Sequence, residues 1–525
     1  MVTTVTPPGG AFLERGTGVS PLPTPLSSVA TGASPSSSVA RGAIALLTTQ
    51  PITWATSLLG AVLLPRFLGD AGMGHFSLAT TVTAVVGTFV SLGITSYLVR
   101  RVATQPARAS TEAGAALVLL VGVSSLTALV LWMLVPFLNM PVPLNLVRLA
   151  LLGMVAGTAN GVLSSLLQGR ENHRRYAWLN AGSQVVTVVS GLAVLALTKN
   201  VESYMATLLT SSVLMVAVTW YFTRLRLHRA SFAPQLYWQL VVGGVPFMGW
   251  AVALAVYTEI DKLMLAAFST STVIGWYAAA FRIVAIPGFM TTAVATPLLP
   301  ALSRSKDDLP VFMETLRRSV VVMLFTTAGA SALIIGAAPG IPGLLGWPDS
   351  FAGSIPLLML LALRVPLTAV DTALGTALIA IHRERRWLCV AVVAAVCNPC
   401  ANFLLIPFFE KTMQNGAIGA AIGTVGTEVL MFGGAVLLLP KGTLDGATLW
   451  LGGRILIAAV ATAGVTAALQ PFSVLVSIQV GGVVFIVATF ALRVFRLADA
   501  WSIRSYVMQT LGRRVASRPV EDLSA

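Results

Sequence analysis

Fourteen runs of about 20 mainly apolar residues divide this sequence at near-regular intervals, and that is the helix length needed to cross the hydrocarbon core of a bilayer. Inside hydrocarbon the backbone can hydrogen-bond only to itself, so each run is expected to be a helix. Punctuated at charged and Pro/Gly clusters, the runs fall near residues 41–64, 74–99, 113–138, 144–167, 176–197, 203–223, 236–260, 273–301, 318–338, 355–380, 387–408, 416–439, 449–470 and 474–493. Only 10% of the 525 residues are charged against 56% hydrophobic, too few to cover a water-facing surface. The composition excludes a soluble enzyme and a disordered chain. Residues 1–40 are the exception: 24 of the 40 are Ser, Thr, Pro or Gly, which predicts a disordered cytoplasmic tail.

The formal net charge of +14 raises the question of whether the basic residues serve nucleic acid or membrane topology. Twenty-five of the 33 lie in the two tails and the even-numbered connections, and only Arg66, Lys199, Lys262 and Lys411 lie in the odd ones. This loop-by-loop alternation places both termini in the cytoplasm of a multi-pass protein of the cytoplasmic membrane. It also removes nucleic acid as a partner, since no basic patch is interleaved with aromatics. The connections are short; the longest on the outer side, about Pro339 to Ser354, holds one acid, Asp349. A membrane polysaccharide polymerase or ligase needs a substantial outer domain with catalytic acids, so an enzyme is disfavoured. Cys389, Cys397 and Cys400 lie in one apolar run without a thioredoxin pattern, and His75 and His173 are isolated, so neither redox chemistry nor a metal site of this kind is expected.

The chain carries an internal repeat. A shift of 201 residues places Phe67, Gly74, Phe76 and Gly87 over Phe268, Gly275, Tyr277 and Gly288, and a second match puts Arg174-Arg175-Tyr176 over Arg385-Arg386-Trp387. Each half starts inside and holds six spans, which predicts parallel repeats about an axis normal to the membrane. The expected organisation is a first lobe over 41–229, a second over 230–440, two extra helices over 441–495 and a basic cytoplasmic tail over 496–525.

Three blocks resemble a known family in order: LPRFLGDAGMGHFSLATTVTAVVGTFVSLGITSYLVR at 64–100, GGVPFMGWAVALAVYTEIDKLMLAAFSTSTVIGWYAAAFRI at 243–283, and NPCANFLLIP with NGAIGAAIGTVGTE over 398–428. They look like the Wzx-type polysaccharide flippases of the multidrug/oligosaccharidyl-lipid/polysaccharide exporter superfamily. The resemblance implies an all-α membrane protein with two six-helix lobes in a V around a cavity that opens alternately to each side. It implies as cargo an oligosaccharide on an isoprenoid pyrophosphate, with membrane lipids and the glycosyltransferases or polymerase of the same pathway as partners. The alternative within the superfamily is a cation-coupled multidrug exporter.

Charged side chains within the spans point to the site, because each costs roughly 2.5–3.5 kcal/mol at the helix centre unless partnered or wet. Arg282 and Arg364 fall near mid-membrane in the eighth and tenth spans. Guanidinium supplies the charge-assisted donors a pyrophosphate needs; the plain alternative for Arg364 is a pair with Asp371 on its own helix. Arg66 and Lys262, at related outer ends of the two repeats, are candidates for a cationic mouth, with Asp70 and Glu259 as local partners otherwise. For ion coupling the candidates are Asp261, Asn398, Asn402, Thr424 and Glu428, because the i, i+4 pairs Asn398/Asn402 and Thr424/Glu428 each share a helix face. Oxygen ligands suit Na⁺, and a buried Glu suits H⁺; hydrogen bonding between helices by the Asn pair is the bland alternative. The placement resembles the sodium site of the lipid II flippase branch, which has a carboxylate where Asn402 stands. No organic cofactor is expected.

Overall fold

The computed structural model describes residues 35–137 and 141–494. The tail expected at 1–40 lies outside the described residues up to residue 34, as does the whole of the basic tail expected at 496–525. The described residues are nearly all helical, without strands. The first half comprises α1 (Pro35–Val90), α2 (Ile94–Thr104), α3 (Ala109–Leu134), α4 (Leu144–Gly169), α5 (His173–Thr198) and α6 (Val201–Thr223). The second comprises α7 (Pro234–Phe268), α8 (Ser271–Val284), α9 (Gly288–Arg304), α10 (Leu309–Ala337), α11 (Ile341–Leu344), α12 (Ile355–Ala380), α13 (Glu384–Met413) and α14 (Ala417–Leu438). The chain continues with α15 (Gly446–Leu469) and α16 (Val474–Ala491), and α15 packs on α10.

Among the described residues, eleven helices are long and apolar enough to cross a membrane, or thirteen when each of two bent pairs is taken as one span. The element α1 enters that tally once although Gly69 divides it: φ of +69° and ψ of −179° break the helix at this residue. Glycine reaches this region without a Cβ clash, so one residue makes the turn that the sequence placed over a longer connection. Two runs read as single helices are broken. The second span turns at Ser91–Gly93, between α1 and α2, and the eighth bends by 50° between α8 and α9. At the latter, Pro287 lacks an N–H and would press on the carbonyl four residues back in a continuous helix. The remaining bend, of 48°, lies in α7 between Gly249 and Ala251, just beyond Pro246.

The two faces of the membrane are packed differently. Around the odd-numbered, arginine-poor connections, one apolar core takes residues from both halves, including Leu64, Met73 and Tyr204 with Tyr277, Phe351 and Leu357. Around the even-numbered, arginine-rich connections the two halves have separate cores, and a further one packs α15 and α16 on α10. The first half's core joins Val102, Leu120 and Leu166 to Leu240 at the start of α7; the second half's joins Leu302, Phe312 and Leu374. The halves are therefore sealed on the arginine-poor side and packed as separate units on the other, with the bend in α7 letting its first segment side with the first half.

Candidate functional site

A cavity of about 640 Å³ lies between α8–α9 and α12, and a second of about 330 Å³ lies behind it among α7, α12, α13 and α14. Both fall within or near the about 300–1,000 Å³ usual for ligand sites. Helix α12 is the wall between them. Its residues Thr368, Thr372 and Thr376 line both cavities, and between these positions Ala369, Ala373 and Ala377 are fully buried against the bundle.

Arg364 stands at the head of this wall. Its Nε donates to Glu428 Oε1 at 2.8 Å, and its guanidinium lies over the rings of Phe281 (5.2 Å) and Tyr257 (5.9 Å). Tyr257 donates a short hydrogen bond to the same Glu428 oxygen. The partner offered by sequence spacing, Asp371, is not the one used: the salt bridge runs across to α14, while Asp371 lines the second cavity beside Glu428. Same-helix spacing identified a neighbour but carried no information about what the adjacent helix presents. Because Arg364 is nearly enclosed, a bare guanidinium here would be costly, and Glu428 offsets much of that cost.

One helical turn along the α7–α14 pairing, Asp261 forms the second polar centre. Its carboxylate accepts from Tyr277 Oη (2.7 Å), Asn402 Nδ2 (2.7 Å) and Thr424 Oγ1 (2.6 Å). Asn402 also donates to Asn398 Oδ1 at 2.9 Å, and Asn398 donates to Thr427 at 3.3 Å. The structure thus brings together Asp261, Asn398, Asn402 and Thr424, and places Glu428 with Arg364 instead. Tyr257/Asp261 on α7 and Glu428/Thr424 on α14 are both i, i+4 pairs on antiparallel helices, so one register delivers both centres. The carbonyl oxygen of Asn402 is buried without a hydrogen-bond partner, and a Cβ at Gly423 would lie 2.5 Å from it. Tyr277 was missed in the sequence because its role depends on the register of α8 against α7, although its place in the repeat, opposite Phe76, marked the position.

Arg282 occupies a different setting. Its guanidinium lies 5.5 Å from the ring centre of Phe76 in the first half, and it carries neither a hydrogen bond nor an ion pair among the described residues. It is half-buried at the junction of the halves, on the other side of α8 from the cavity wall formed by Phe281 and Val284. Arg282 and Arg364 are therefore presented on separate faces rather than as one clamp.

At the arginine-poor ends, Lys262 pairs with Glu259, which also accepts from Thr81 Oγ1 at 2.9 Å across the halves. Arg66 is exposed beside Gly346, and Asp70 accepts from the backbone N–H of Ala71 instead of pairing with Arg66. Arg148 and Arg454 lie over Trp132 and Trp450.

The sequence pattern of the family described as "Polysaccharide biosynthesis protein" matches residues 39–306, more than half of the chain. The chain belongs to this family. Within the match lie the broken second and eighth spans, Arg282 and Asp261, whereas Arg364, Asn402 and Glu428 fall beyond it. A probable flippase, AglR of Haloferax volcanii, is 28% identical over 196 residues, covering 35% of this chain and 38% of that relative. The alignment thus spans little more than a third of the relative's length. Among solved structures, the lipid II flippase MurJ in an inward closed conformation superposes with a TM-score of 0.66 at 13% identity, over 86% of this chain and 98% of that one. An inward-facing multidrug resistance MATE transporter of the MOP superfamily superposes at 0.52 and 16% identity, over 75% and 94%. These likenesses establish that this member of the polysaccharide biosynthesis family has the MurJ/MATE fold.

Proposed function

We propose that this protein is a flippase that carries a lipid-linked oligosaccharide across the cytoplasmic membrane by alternating access, without covalent chemistry. The observation that carries the reading is the asymmetry of the cores. One shared core seals the arginine-poor side, and two separate cores flank the polar cavities on the arginine-rich side. With that side as cytoplasm, a cargo made in the cytoplasm loads between the halves and leaves once the shared core opens. The family's link to polysaccharide biosynthesis and the names of AglR and MurJ favour an isoprenoid pyrophosphate glycan over a drug.

In this scheme Arg282, a cation without an anion partner among the described residues at the junction of the halves, receives the pyrophosphate. Arg364 is already engaged by Glu428 and takes a secondary part. Arg66, exposed at the outer rim, attracts the headgroup on release, and Lys262 joins it when Glu259 is released. The Asp261 centre fits a sodium ion: one carboxylate, the hydroxyl of Thr424 and the unpartnered amide oxygen of Asn402 are hard oxygen donors. When bound, such an ion would neutralise Asp261 and couple its gradient to movement of α7 against α13 and α14.

The test is transport of an isoprenoid pyrophosphate oligosaccharide into sealed proteoliposomes. Wild-type protein moves it, Arg282→Lys retains movement and Arg282→Ala loses it. Equal transport by wild type and Arg282→Ala would remove the headgroup assignment, and absence of transport by wild type, with drug efflux in its place, would remove the flippase reading.

A further inference from the structure

The cleft between α9 and α12 carries threonines on both walls within an otherwise mostly apolar lining. On α12, Thr368, Thr372 and Thr376 recur every four residues, and on α9 Thr292 and Thr296 face them across the 640 Å³ cavity. Each of these five hydroxyls donates its proton to the carbonyl four residues earlier in its own helix: Thr292 to Gly288 at 3.1 Å, Thr296 to Thr292 at 2.8 Å, Thr368 to Arg364 at 3.1 Å, Thr372 to Thr368 at 2.8 Å and Thr376 to Thr372 at 2.6 Å. A hydroxyl has one donor and two acceptor positions, so these five oxygens have only lone pairs left to offer, and of the six threonines lining the cleft only Thr291 keeps its proton free among the described residues. Serial back-bonding of this kind is common for Thr in apolar helices; five such side chains in the lining of one cavity, three of them shared with its neighbour, are the unusual feature.

We propose that this cleft is the glycan subsite and that it takes uncharged, hydroxyl-rich sugars. The inference rests on the flippase reading and specifies where the sugars lie and of what class they are. A sugar hydroxyl donates to a threonine oxygen, whereas a carboxylate, sulfate or phosphate brings only lone pairs against lone pairs. The charges nearby act in the same direction. Among the residues lining the cleft the one cation, Arg364, is neutralised by Glu428, and Asp371 lies on the far side of α12, so the lining offers an acidic sugar no free cation. Phe281 and Val284 give the cleft an apolar floor for the C–H faces of a pyranose ring. Arg282, which has neither a hydrogen bond nor an ion pair among the described residues, is on the opposite face of α8, which separates the pyrophosphate from the sugars and orients the cargo.

The test uses purified full-length protein in nanodiscs and three probes with the same isoprenoid pyrophosphate: one bearing a neutral trisaccharide, one bearing a trisaccharide with a uronic acid, and one bearing no sugar. Wild type is expected to bind the neutral glycan more tightly than the other two. Replacing Thr368, Thr372 and Thr376 together by Val, which keeps shape and removes oxygen, is expected to cost at least about tenfold in affinity for the neutral glycan, as loss of two or three hydrogen bonds implies. The sugar-free probe should bind this variant as it binds wild type, and the triple Thr→Ser protein should bind the neutral glycan like wild type. Unchanged glycan binding by the Val protein, equal loss of all three probes, or preference for the uronic acid would each overturn the subsite. If wild type binds none of the probes, the flippase reading itself fails, a result distinct from the others.

Discussion

Gly74 and Gly275, 201 residues apart, meet at one helix crossing in which each is pressed on the residue four before the other: a Cβ on Gly74 would lie 1.8 Å from the carbonyl oxygen of Ser271, and one on Gly275 1.9 Å from that of Asp70. The spacing that exposed the repeat in the sequence is thus the spacing of a two-fold contact between the second half of α1 and α8. It sits inside the core shared by both halves, so the crossing forms part of the seal on the arginine-poor side.

Substituting either glycine by alanine is expected to force the two backbones apart and weaken the sealed state by about 1–3 kcal/mol, the usual cost of overpacking. In protein whose three cysteines are replaced, a reporter cysteine at buried Ala279 should react faster with a membrane-impermeant maleimide applied from the arginine-poor side in Gly74→Ala than in the parent. Unchanged labelling would mean that the crossing does not hold the seal.

The pair Arg364–Glu428 gives a second prediction, on stability. Glu428→Ala leaves a nearly enclosed guanidinium without its anion, which typically costs about 3–5 kcal/mol. The double replacement Arg364→Met with Glu428→Met removes both charges and should recover most of the thermal midpoint lost by the single variant. A double variant no more stable than Glu428→Ala would show that the two side chains stabilise the bundle separately.

How far the sequence exposed this architecture follows from which forces are local. The spans were legible because bilayer thickness imposes a length on every apolar run, and the alternation of arginines marked which connections lie together. The breaks at Ser91–Gly93 and Pro287 were harder to see, because each sits in an apolar stretch where a few residues turn the chain. Asn398/Asn402 and Thr424 were readable from i, i+4 spacing, but their meeting with Asp261 depends on how α7, α13 and α14 pack, as does the choice of Glu428 over Asp371 as partner of Arg364. The stripe Thr368, Thr372, Thr376 had the same spacing as the asparagines and could have been found by the same rule. It was overlooked because uncharged hydroxyls do not stand out in an apolar helix.

The last prediction concerns the Asp261 centre. Three donors, from Tyr277, Asn402 and Thr424, satisfy its carboxylate, while the carbonyl oxygen of Asn402 has no partner among the described residues. A bound sodium ion would turn the hydroxyls from donors to the carboxylate into ligands and use that free oxygen, so binding should tighten the packing of α7 against α13 and α14. Sodium chloride, compared with choline chloride at equal ionic strength, is therefore expected to raise the thermal midpoint of the purified protein. Asp261→Asn should abolish the sodium-specific increment while leaving a folded protein, since the amide oxygen still accepts from Thr424 and Tyr277. Asn402→Ala should weaken the increment, and Glu428→Gln should leave it in place because Glu428 belongs to the neighbouring centre with Arg364. An increment that survives in Asp261→Asn, or one that vanishes only in Glu428→Gln, would assign the cation to the Arg364–Glu428 cavity instead.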